Sequence, residues 1–124
     1  MDLHPAATNM MIIASEEQLG ARLPKDYVQF LKLANGGEGF IGNAYAIFWS
    51  VEELSSMNRS YEVQKYAPGL LIFGSDGGGE AYGFDTRASD WPIVQVPFVG
   101  MAWNLARPMG TSFSVSLKRS SEME

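Results

Sequence analysis

The chain has 124 residues, 46% hydrophobic and 19% charged, with 9 Lys plus Arg against 14 Asp plus Glu for a formal net charge of -5. That length holds one core and one domain spanning 1–124, and the mixed apolar and charged usage lies far from the disordered class. The lack of cysteine removes disulfides, thiol catalysis and cysteine-ligated zinc, and the acidic balance argues against DNA or RNA, whose affinity comes largely from clustered Lys and Arg.

Residues 1–11 read as a loose N-terminal tail. Met1 leads no basic segment, and MMIIA is too short for a signal core or a membrane span, so the expectation is a soluble, cytoplasmic, bacterial-type protein with no membrane partner. His4, the only histidine, lies in that tail beside Pro5 and reads as solvated, which leaves a Ser–His–Asp triad or a multi-histidine metal site without support. Ser15-Glu16-Glu17-Gln18 has capping-box spacing and predicts a short helix from Ser15 to Gly20. Pro24 fits the first turn of a second helix, whose core-facing stripe is Leu23, Tyr27, Phe30, Leu31 and Ala34. Asn35-Gly36-Gly37 then ends it with residues that tolerate the left-handed conformation.

The run AYAIFW predicts a strand over Ala44 to Trp49, stopped by a second capping box at Ser50-Val51-Glu52-Glu53. A third helix is expected from there to about Ala67, before the turn signal Pro68-Gly69. Strands follow at Leu70 to Gly74, Glu80 to Thr86 and Pro92 to Phe98, as an antiparallel meander whose last member, carrying Pro97, lies at a sheet edge or ends there. Thr111 to Arg119 fits either a strand, from the SFSVSL alternation, or a closing helix.

The stretch LLIFGSDGGGEAYGFD, Leu70 to Asp85, concentrates the candidate chemistry. Gly77, Gly78 and Gly79 point to a turn needing positive φ or to a close backbone approach. A phosphate loop joins a strand to a helix and adds a Lys, whereas this turn joins two strands with no Lys nearby. Asp76, Glu80 and Asp85 match no calcium loop, because the glycines occupy the ligand positions. Asp76 instead reads as an Asx-type turn residue, with Glu80 and Asp85 as solvated strand-end residues. No metal, cofactor or catalytic residue is therefore assigned. Trp91, between Ser89-Asp90 and Pro92, is expected in a turn with few neighbours, and an exposed aromatic beside carboxylates suits a protein-binding surface.

Several of these pieces recur together in one family. SEEQLGARLPKDYVQFLKLANGGEG, the strand into SVEEL, LLIFGSDGGGEAYGFD and WPIV together resemble the SMI1/KNR4 domain of the SUKH superfamily, from about Ile12 to Leu117. Its most specific parts are Leu23-Pro24-x-x-Tyr27-x-x-Phe30-Leu31, Asn35-Gly36-Gly37, and Phe73-Gly74-Ser75-Asp76-Gly77-Gly78-Gly79. The resemblance implies an α+β fold with helices packed on a mainly antiparallel sheet, and a closing helix led by Ser112-Phe113. It also implies a non-enzymatic protein-binding role. Bacterial members resemble immunity proteins that neutralise toxins, often nucleases, and fungal members are tied to cell-wall glucan synthesis. A basic toxin is the partner that the acidic balance suits. The candidate binding face is Asp76, Glu80, Asp85, Asp90 and Trp91, with Glu38 beside the earlier glycine turn. Gly36, Gly37 and Gly77 to Gly79 are the structural turn residues. A cell-wall or signalling regulator, or a small-ligand or metal-binding protein, is the alternative, and the oligomeric state is left open.

Overall fold

The computed structural model describes residues 2–110 and Phe113. Among them, seven strands form one antiparallel sheet in sequential order: β1 (Asp2–Leu3), β2 (Gly37–Ile41), β3 (Ala44–Phe48), β4 (Leu70–Ser75), β5 (Glu80–Asp85), β6 (Ile93–Pro97) and β7 (Arg107–Gly110). Four helices pack with it: α1 (Asn9–Leu19), α2 (Lys25–Leu33), α3 (Leu54–Ser60) and α4 (Val63–Tyr66). The architecture is the α+β meander that the sequence predicts. The expected element over 111–119 lies outside the described residues, apart from Phe113.

Alternation along β4 divides the core between the sheet's two faces. Leu71 and Phe73 join Phe84, Ile93, Phe48 and the inward residues of α1 and α2 in one cluster, whereas Leu70 and Ile72 join Val63, Ala81, Val94 and Val96 in the other. Such a doubly covered strand reads as a continuous apolar run, and every residue of β4 is buried. The stripe of α2 behaves as its spacing requires: Leu23, Tyr27, Leu31 and Ala34 are buried, and Phe30 packs on Phe48 with ring centroids 5.4 Å apart.

Four expectations need correction. Residues 2–11 are not a loose tail, because Asp2 and Leu3 pair with Glu38 and Gly37, His4 N–H donates to Gly36 C=O, and His4 Nδ1 lies 3.0 Å from Asn35 O. Helix α1 starts at Asn9 rather than Ser15. Thr8 caps it by accepting from the Met11 N–H at 3.2 Å, and Ser15 lies in mid-helix, buried, donating to Val51 O at 2.9 Å. Its expected stop at Gly20 holds, with φ 72.

Helix α2 ends on an extended Ala34, so Gly36 and Gly37 do not form a left-handed cap. They serve close approach instead: a Cβ on Gly36 would collide with Phe48 O, and one on Gly37 with Asp2 O. The third expected helix breaks at Glu62, at φ 52, after a 3-10 turn at Val51–Glu53 that carries the expected capping box. The break lets Leu54 reach one core cluster and Val63 the other. Pro97 ends β6 inside the sheet, opposite Glu80, beyond the residues that β7 pairs.

Strand β3 pairs with β4 only at Ile47 and Phe48. Beyond that point side chains replace the missing strand. Asn58 Oδ1 accepts from Ile72 N–H, Asn58 Nδ2 donates to Ile72 O and Leu54 O, and Gln64 Nε2 donates to Leu70 O, all at 2.8 to 2.9 Å. Buried backbone groups require such partners, and α3 and α4 are positioned to supply them.

Candidate protein-binding surface

The β4–β5 turn is built around Asp76. Its Oδ1 accepts from Gly78 N–H at 2.8 Å and Glu80 N–H at 3.1 Å, which is the Asx arrangement expected from the sequence. Of the three glycines, only Gly77 has a backbone that demands glycine, with φ 79 and a Cβ position 3.0 Å from Tyr45 Cδ2. Gly79 has open space around it and no positive φ. Gly77→Ala is therefore expected to lose about 1–2 kcal/mol of stability, and Gly79→Ala to change it by less than about 1 kcal/mol in either direction. Urea melts of the two variants check this pair.

Tyr45 draws the first group of carboxylates together. Its hydroxyl donates to Glu38 Oε2 at 2.6 Å, and this bond holds the phenol pKa above its ordinary value. Tyr82 is also shifted upward, by burial and then by the charges of Asp76 and Glu80, and its hydroxyl donates to Tyr45 O at 3.4 Å. Glu80 accepts from Arg107 Nη2 at 3.4 Å. Glu38 pairs opposite Ile47, and Ile47 opposite Ser75, so Glu38 and the glycine turn are separated by a single strand.

Asp85, Asp90 and Trp91 do not join this group. Asp85 ends β5 while Glu80 begins it, a separation of about 17 Å at the usual rise per strand residue. Trp91 is half-buried against Phe84, with ring centroids 5.9 Å apart, and takes the left-handed backbone at φ 49. It faces a groove of about 600 Å³ beside Leu19, Asn58 and Arg59 rather than standing as a free aromatic platform. The turn did not leave it without neighbours, because the core beneath α1 reaches it.

The SMI1 / KNR4 family (SUKH-1) model matches residues 6–118, which takes in both glycine turns, the α2 stripe and every strand from β2 to β7. The chain belongs to the SMI1/KNR4 family. None of the curated proteins compared matches it. As a SMI1/KNR4 domain it is immunity-protein-like at the level of the family, whose domains are generally non-enzymatic and bind protein partners. Among the described residues, no group of three His, Cys, Asp or Glu side chains is placed to hold a metal ion, and no helix is long and apolar enough to cross a membrane.

Phe40 is absent from the sequence-based face because β2 is; Tyr45 and Ile47 lie on the expected strand over Ala44 to Trp49, and pairing with β2 is what joins them to Glu38 and Phe40 on one face. The opposite pairs Glu38–Ile47 and Phe40–Tyr45 share the sheet face away from buried Ala46 and Phe48. Phe40 is 68% exposed, with its ring 5.0 Å from that of Tyr45. A signal was present. Gly42-Asn43 between two apolar stretches is a two-residue hairpin loop, with glycine at the first central position, as a II′ turn requires.

Asp85 carries a separate, pH-dependent role. Its carboxylate takes a bidentate bond from Arg87, at 3.0 and 3.1 Å, and that bond holds its pKa below the ordinary aspartate value. A depressed folded-state pKa contributes stability above the unfolded-state value of about 3.9, and the contribution is lost as pH falls through the folded-state value. The stability difference between the parent and Asp85→Asn is therefore expected to be largest near neutrality and to shrink below about pH 4. Denaturant melts across that range measure it.

Proposed function

We propose that this domain is an immunity protein that binds and neutralises a bacterial toxin, a basic nuclease being the class its charge fits, and that it catalyses no reaction of its own. The cytoplasm is the compartment where such a protein meets its toxin. The observation that carries the reading is a surface of net negative charge, on which Arg107 offsets Glu80. Segments 2–4, 36–48 and 75–80 hold Asp2, Glu38, Asp76 and Glu80 and not one Lys or Arg, while Tyr45 bonds Glu38 and lies against Gly77 of the turn that Asp76 closes onto Glu80. Such a field accelerates encounter with a basic partner and rejects acidic ones.

The test pairs the purified protein with the secreted toxin encoded beside its gene. An excess of the protein is expected to abolish toxin activity, and Glu38→Lys to weaken binding about tenfold or more, chiefly through slower association at low salt. Glu38 is exposed, so this variant is expected to keep the fold, which circular dichroism checks. A toxin that stays fully active with the protein in excess defeats the immunity reading.

A further inference from the structure

The two outer strands of the described sheet differ in how they end it. Strand β7 has Arg107 and Pro108 exposed along its length, and proline offers no N–H to an incoming strand, so this edge is blunted against pairing. Strand β1 is only two residues long. It pairs Asp2 with Glu38 and Leu3 with Gly37, so Gly39, Phe40 and Ile41 of the longer β2 lack an outer strand among the described residues.

Among the described residues, the backbone groups left without a partner on this edge belong to Phe40. In a hairpin with a two-residue loop, the flanking residues Ile41 and Ala44 form a hydrogen-bonded pair, and alternation then turns Gly39 and Gly37 toward β3 but Phe40 and Glu38 outward. The His4 N–H bond to Gly36 C=O fixes the same parity independently, since Gly36 also points outward. Glu38 meets Asp2 across this edge, and the next outward residue, Phe40, carries the exposed ring.

We propose that the open edge of β2 at Gly39–Ile41 receives an extended, basic segment of a partner protein, which adds to the sheet as a strand in line with β1. The Phe40 N–H and C=O pair with its backbone, Phe40, Tyr45 and Ile47 receive its apolar side chains, and Asp2 and Glu38 receive its Lys or Arg. The occupant follows from charge. Pairing with a second copy would set Asp2 and Glu38 against their own equivalents, whereas a basic strand neutralises them. The proposal rests on the reading of this domain as a protein-binding one and adds the chemistry of the segment it holds.

The test uses the full, isotope-labelled chain and a capped Lys/Val octapeptide, Lys-Thr-Val-Thr-Lys-Thr-Val-Thr, in which Lys and Val fall on one face of an extended strand as Glu38 and Phe40 do, compared with the same peptide N-methylated at every residue and with a Glu/Val peptide in which Glu replaces Lys. Saturating Lys/Val peptide is expected to slow hydrogen exchange at the Phe40 amide and to shift the resonances of Asp2, Glu38 and Tyr45. Both control peptides are expected to bind about tenfold more weakly or worse. Phe40→Pro, which deletes the outward N–H, is expected to produce the same loss, and Phe40→Ala, which keeps it, a smaller one. Equal binding of the N-methylated peptide would overturn strand addition while leaving a charge-driven toxin contact intact. So would Phe40 exchange that is unchanged at about millimolar Lys/Val peptide, or dimerisation of the chain through this edge. Strand pairing in a protein that neutralises no toxin would retain the edge and remove the immunity reading.

Discussion

Replacing Asn58 by Ala is expected to cost about 3 kcal/mol or more of unfolding free energy, although the substitution removes only a small polar side chain. The reason lies in what the amide replaces. Strand β3 leaves the sheet after Phe48, and the Ile72 N–H and C=O that face the vacated position are bonded by the two ends of the Asn58 amide, at 2.9 Å each. A third bond ties the same amide to Leu54 O. Asn58 and Ile72 are both buried, so water does not take over these contacts, and each stranded group costs about 1–3 kcal/mol. Asn58→Asp keeps one acceptor but loses both donated bonds and buries a charge, so it is expected to be no better than Ala. Urea denaturation followed by far-ultraviolet dichroism measures both. A loss below about 1 kcal/mol for Asn58→Ala would show that the amide does not act as a substitute strand partner.

Substitution at Tyr27 is expected to split by chemistry. Tyr27 is fully buried among Phe73, Phe84 and Phe113, with ring centroids 5.1 to 5.6 Å away, so Tyr27→Ala removes the centre of an aromatic cluster and is expected to cost about 3–5 kcal/mol. For a domain of ordinary stability, about 5–15 kcal/mol, that leaves a marginal fold. Tyr27→Phe should behave oppositely. The Tyr27 hydroxyl has no hydrogen-bond partner among the described residues, and burial pushes its pKa far above the ordinary phenol value. Removing an unsatisfied buried hydroxyl while keeping the ring is expected to be neutral or to stabilise by up to about 1 kcal/mol. Thermal melts of the two variants should move in different directions or by clearly different amounts. A Phe variant as damaged as Ala would mean that the hydroxyl is bonded.

The elements legible beforehand were those whose physics is local. The α2 stripe repeats every three to four residues, Gly20 carries a left-handed helix stop, and Asp76 closes its own turn through bonds two and four residues away. The beginning of α1 was misplaced because Ser15-Glu16-Glu17-Gln18 is a valid cap signal that a better-placed Thr8 supersedes. Ser15 spends its hydroxyl on Val51, 36 residues away. Strand β2 is hidden in the sequence because Asn35-Gly36-Gly37 reads as a helix stop, yet Gly37 packs directly on the backbone of Asp2 and Leu3, which only the folded sheet supplies. Half the candidate face was misjoined for a related reason. Asp85, Asp90 and Trp91 are near Glu80 in the chain, but an extended strand carries them to the other end of the sheet.

What the chain determined by itself is the α+β class, the order of most elements, the Asx-closed glycine turn and, through Leu23 to Leu31 and Phe73 to Gly79, its family. These rest on periodicity, caps and turns, whose energies act within a few residues of one another. Only the tertiary structure decided that the N-terminus supplies an edge strand, that Glu38 belongs with Asp76 and Glu80 while Asp85 does not, and that Asn58 completes β4. Pairing across a sheet joins residues tens of positions apart, and no local pattern along the chain encodes which ones meet.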